Sequence, residues 1–85
     1  LKTEYQNQQK YRKWSSIVDK LPIKSDHVVA ELGCGTGDFA KILSKKVKEV
    51  IAIDLNQNLL EVLQNKKINN INNYNGFYIN HYRMQ

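Results

Sequence analysis

The chain has 85 residues, 41% hydrophobic and 25% charged, the balance of an ordinary globular domain. That length allows one small domain, burying roughly 60–65% of the surface its unfolded chain exposes, and no apolar run approaches the ~20 residues that span a bilayer. The formal net charge is +5; its lysines are scattered with no compact Lys/Arg block, which reads as solvated helix faces and helix C-termini rather than a nucleic-acid patch.

The single cysteine, Cys34, forbids an internal disulfide and fits a reducing, cytoplasmic setting. The opening "LKTEYQNQQK" has no apolar core of a secretion signal. A first residue of Leu, not Met, suggests an excerpt of a longer reading frame.

Tyr11, Trp14, Ile17, Val18 and Leu21 recur at helical spacing, which predicts an amphipathic helix over about 5–21 that Pro22 ends. Tyr11 and Trp14 are expected to pack against the sheet, with a lid over the site as the other option. Residues 27–32, "HVVAEL", are short and β-branched and predict a buried strand. "DFAKILSKK" then predicts a helix, with Asp38 in its first turn and Lys45 and Lys46 in its last, as the helix dipole prefers. "EVIAID", residues 49–54, predicts a second buried strand, and Asn56 caps a further helix that fades near Lys67. Strand–helix–strand–helix implies parallel strands with right-handed crossovers, so the class is α/β. Residues 68–85 form an uncertain tail: "NNINNYN" reads as loop, and "GFYI", residues 76–79, is a candidate third strand.

The chemistry centres on "ELGCGTGD". Gly33, Gly35 and Gly37 lie between a strand and a helix, where missing side chains let backbone approach a ligand and the helix N-terminus offers free N–H groups. The dinucleotide fingerprint is G-x-G-x-x-G. Here Asp38 stands where its third glycine would fall, opposing a pyrophosphate but tolerable beside a cationic ligand such as S-adenosylmethionine. Asp54 ends the next strand 21 positions after Gly33, where an acid can accept from both hydroxyls of a ribose. Glu31 is placed to face a cationic methionine moiety, a strand-end acid paired with a lysine being the plainer option. Cys34 has no base nearby in sequence and is not expected to be a nucleophile. His27 and His81 are isolated and suggest no metal.

With these residues in place, "VVAELGCGTGDFAKIL…VIAIDLNQNLLEVL" resembles the cofactor-binding core of the class I, Rossmann-like S-adenosylmethionine-dependent methyltransferases, over about residues 26–66. The resemblance implies the N-terminal half of that family's sheet, preceded by the amphipathic helix, all within one partial domain over 1–85 whose βαβα core is 27–67. It implies that Gly33, Gly35 and Gly37, with Cys34 between them, line the methionine part of the cofactor. Glu31 would orient that part, Asp54 hold the ribose and Leu55 lie against the adenine. It also implies transfer of a methyl group to an acceptor, a small molecule being favoured over RNA or protein, with no membrane partner. The family's acid after its third strand is missing: "GFYI" is followed by Asn80, His81 and Tyr82. No residue presents itself as a catalytic base. Two alternatives stay open, a nicotinamide-dependent oxidoreductase and a non-catalytic remnant that folds poorly.

Overall fold

The computed structural model describes residues 2–77. Six elements follow in order: α1 (Lys2–Lys20), β1 (Val28–Leu32), α2 (Asp38–Ser44), β2 (Glu49–Asp54), α3 (Gln57–Asn65) and β3 (Ile71–Asn75). The strands form a parallel sheet in the order β1-β2-β3, with Glu31 beside Ala52 and Asp54 beside Asn75. This is the α/β half-sheet expected of the sequence. No helix among the described residues is long and apolar enough to cross a membrane.

The two crossover helices share one face of the sheet. Ala40, Ile42 and Leu43 of α2 and Leu60 and Leu63 of α3 close over Val50 and Ala52 of β2, all buried in one cluster. Val18 of α1 joins it and is 1% exposed. The register puts Val28, Ala30 and Leu32 on the opposite face with Ile51, Ile53 and Tyr74. No described element covers that face, and Leu32 is 78% exposed.

Several expectations need correction. β1 is not a buried strand: alternate residues are exposed, because one face and one edge lack a neighbour among the described residues. α1 starts at Lys2, before the expected position 5, and lies on α2 rather than on the sheet. Trp14 stacks edge-to-face on Phe39, with ring centres 5.7 Å apart, and Tyr11 accepts a hydrogen bond from Lys45 Nζ at 3.0 Å. Ile17 and Leu21, expected on the buried face, are exposed.

The third strand is also displaced. It is Ile71–Asn75, inside the segment read as loop, whereas Gly76 and Phe77 are already helical and residues 78 and 79 of "GFYI" lie outside the described residues. Asparagine is a poor strand former, but here its amides act as clamps. Asn70 Nδ2 donates to the Ser44 and Val47 carbonyls at 2.7 and 3.2 Å, and Asn73 Nδ2 to the Leu60 carbonyl at 3.0 Å. These bonds tie β3 and the residue before it to the end of α2, to the connection beyond it and to the body of α3.

Candidate cofactor site

The site lies at the carboxyl ends of β1 and β2, where open α/β sheets bind ligands. After Leu32 the chain turns through Gly33 and Gly35, at φ 72° and 57°, in the left-handed region that favours glycine. The amides of Gly33 and Cys34 both donate to the Ile53 carbonyl, at 2.7 and 3.1 Å. The Gly35 amide donates to Asp54 Oδ2 at 2.8 Å, and the Asn56 amide to Asp54 Oδ1 at 2.9 Å. One carboxylate therefore joins the glycine loop to the start of α3. The Asn56 amide, and then the Gly35 amide, hold the Asp54 carboxyl below the usual carboxylate range.

Glu31 sits on the helix-covered face at the loop's base. Burial pushes its carboxyl up to about 7, and its Oε1 is buried without a hydrogen-bond partner. It is not paired with a lysine: the ion pairs among the described residues are Lys46–Asp19 and Lys66–Asp38. Cys34 is buried, and its thiol is pushed up to about 11, by burial first and then by the negative charges of Asp54 and Glu31. A thiol so far from ionisation is no nucleophile at neutral pH.

A cleft of about 460 Å³ opens over the loop, lined by Glu31, Gly33, Cys34 and Gly35 and closed on one side by Lys10 and Trp14 of α1. A Cβ at Gly33 or Gly35 would meet nothing within 4 Å. At Gly37 it would overlap Leu63 Cδ1, so this third glycine serves helix packing. Leu55, beside Asp54, is 67% exposed.

These features fit S-adenosylmethionine. A buried, partnerless carboxylate oxygen needs a cation or donor, and the open space at two glycines admits a ligand against backbone. Each Asp54 oxygen uses one acceptor position on an amide and keeps another for a ribose hydroxyl. Asp38 bonds to Lys66 Nζ at 3.0 Å and so acts as a helix N-terminal charge. His27 Nδ1 accepts from the Lys24 amide at 3.1 Å, His81 lies outside the described residues, and no group able to hold a metal occurs among the described residues. With β3 at 71–75, the residues that follow are Gly76 and Phe77, so the family's third acid is again absent there. Sequence reasoning missed Lys10, which only the α1–α2 packing brings to the cleft. It also missed Lys66, whose Nζ donates to the Thr36 carbonyl at 2.7 Å and holds the loop's far end.

Comparison with known proteins agrees with this geometry. The profile of a methyltransferase domain family matches residues 29–79. A ribosomal RNA small subunit methyltransferase of Arabidopsis thaliana is 45% identical over 51 residues, covering 60% of this chain and 14% of its own length. The crystal structure of a dimethyladenosine transferase from Plasmodium falciparum superposes with a TM-score of 0.62 at 32% identity, covering 71% of this chain and 25% of that one. A phosphoethanolamine N-methyltransferase from Haemonchus contortus, in complex with phosphoethanolamine and S-adenosylhomocysteine, gives 0.64 at 25% identity, covering 72% and 14%. The chain thus spans between 14% and 25% of the length of these three proteins. The oxidoreductase alternative finds no support among them. The chain belongs to the class I, S-adenosylmethionine-dependent methyltransferase family, and its three strands and covering helices form the cofactor half of that family's Rossmann-like domain.

Proposed function

We propose that the protein carrying this chain transfers a methyl group from S-adenosylmethionine to RNA. One observation carries the acceptor: the 45% identity over 51 residues to a ribosomal RNA methyltransferase. The small-molecule acceptor expected from the sequence is not supported: the phosphoethanolamine enzyme resembles this chain at 25% identity, over 14% of its own length.

The cofactor supplies a methyl group already activated on a sulfonium; the chain supplies position. Glu31 offers its partnerless oxygen to the ammonium of the methionine part. Gly33 and Gly35 bring backbone against that part, with Cys34 an inert filler between them. Asp54 accepts from the ribose hydroxyls, and Leu55 presents an apolar side chain to the adenine. No described side chain is placed as a general base.

The test uses the full-length protein. Calorimetry should show binding of S-adenosylhomocysteine and none of NAD. Asp54→Ala should weaken that binding at least ~10-fold, about 1.4 kcal/mol. With a radiolabelled methyl donor, label should enter ribosomal RNA. Label entering only small amines would replace RNA as the acceptor, and tighter binding of NAD would overturn the cofactor.

A further inference from the structure

Folding gathers charge that the sequence scatters. Residues 8–20 and 38–48, on α1 and α2 with its exit, carry eight of the thirteen lysines and arginines but only two of the eight acids, Asp19 and Asp38. Both acids are already paired, with Lys46 at 2.7 Å and Lys66 at 3.0 Å. This layer therefore carries a net charge of +6, and the rest of the chain a net −1. Among the described residues, Lys10, Lys41 and Lys45 have no carboxylate partner.

Between the two helices runs a groove of about 280 Å³ lined by Lys10, Tyr11, Trp14 and Lys41. Lys10 Nζ lies 4.4 Å over the Trp14 ring, and Lys45 Nζ lies 5.5 Å from the centre of the Tyr11 ring, which is 43% exposed. Lys10, Trp14 and Asp38 also border the cleft over the glycine loop, so groove and cleft are continuous. Ammonium groups with no carboxylate partner, beside accessible aromatic rings, suit a single strand of nucleic acid. The lysines take phosphates, and a ring takes a base face. An acidic peptide or a lipid surface would use the charges but not the rings.

We infer that the α1–α2 groove is a docking track for a single-stranded segment of the acceptor RNA, leading from Tyr11 and Lys41 past Lys10 and Trp14 to the cofactor cleft. This rests on RNA being the acceptor. The test measures fluorescence anisotropy of a labelled single-stranded oligoadenylate against salt, with the full-length protein. Lys10→Gln/Lys41→Gln/Lys45→Gln should weaken binding ~10-fold or more and flatten the slope of log Kd against log salt by roughly two, about 0.7 per lost phosphate contact. Tyr11→Ala should weaken binding roughly ten-fold with little change in slope, while Tyr11→Phe keeps the stack and the affinity. Binding of S-adenosylhomocysteine should be unchanged in Tyr11→Ala and Tyr11→Phe, and the triple variant, whose Lys10 borders the cofactor cleft, should unfold at the parent's urea midpoint, showing that all three variants fold. A triple variant that binds and methylates RNA like the parent overturns the groove and leaves the RNA acceptor standing. A parent that neither binds nor methylates RNA overturns both. Equal loss in Lys20→Gln/Lys24→Gln/Lys67→Gln would mean diffuse net charge alone. Binding to anionic vesicles as tight as to RNA, and insensitive to Tyr11→Ala, would mean a general anion surface; either result sinks the assignment.

Discussion

At Gly37 the backbone, at φ 86°, passes so close to Leu63 that an added Cβ would overlap its Cδ1. Gly37→Ala should therefore add overpacking of about 1–3 kcal/mol to left-handed strain of about 1–2 kcal/mol. In a Leu63→Ala background only the strain should remain, since the two sites couple through one contact. Gly33→Ala and Gly35→Ala should cost the strain alone, about 1–2 kcal/mol, yet weaken S-adenosylhomocysteine binding. Urea denaturation separates these cases; a Gly37→Ala no worse than Gly33→Ala would refute the packing role. Glu31 makes a pH prediction. Its carboxyl ionises at 4.5 ordinarily and near 7 in the fold, so the fold holds the proton more tightly. Stability should thus fall as pH rises from 4.5 towards 7, and Glu31→Gln should abolish that slope. A cationic ligand favours the ionised form, so affinity should rise with pH across the same window, and binding at about pH 6 should release a proton. Calorimetry in two buffers of different ionisation enthalpy reads that proton; none released would remove Glu31 from the ligand. Asp54 acts oppositely: the stability its bonds contribute is present above its ordinary pKa and lost in acid.

Among the elements, α3 ends under strain. Its last turn closes with the Lys66 and Lys67 amides on the Leu63 and Gln64 carbonyls, at 3.0 and 3.1 Å, and leaves Lys67 at φ 53°. Glycine is the usual residue there. Lys67→Gly should raise stability by about 0.5–1 kcal/mol in chemical denaturation; a loss would mean that the side chain compensates. The run from β1 to α3 was legible because each element carries its own signal: β-branched strands, a glycine turn, the Asn56 cap. The glycine loop and the two acids were legible because spacing alone sets them at adjacent strand ends. β3 was not, because its strand character comes from partners: Asn70 is held by carbonyls at the end of α2 and in the α2–β2 connection and Asn73 by a carbonyl of α3, and no local pattern announces that. Nor was the bond from Asp54 to the Gly35 amide, which depends on how the loop folds back over β2. The periodicity of α1 was real, but it could not say that the helix would rest on α2.

As a whole, the described chain is a sheet with helices on one side. Only β2 has a strand on each side, so in residues 1–85 expressed alone the slowest-exchanging amides should lie in β2, with β1 exchanging faster along its open edge. The same protein should show no methyl transfer above background, because alignment of an acceptor, worth up to about 7–11 kcal/mol, needs walls on both sides of the cleft. Turnover by this segment alone would show that a second copy or a partner supplies them. In residues 1–85 expressed alone, the face with Leu32 and Tyr74, which no described element covers, and the charged layer of α1 and α2 lie on opposite sides of the sheet, which makes this segment resemble a surfactant. Its colloidal behaviour follows. In dilute buffer near neutrality, far below its isoelectric point of 9.4, mutual repulsion keeps molecules apart. Added salt shortens that repulsion to about 3 Å at 1 M while leaving the attraction between oily faces intact, so the second virial coefficient should turn negative as salt rises, the reverse of ordinary salting-in.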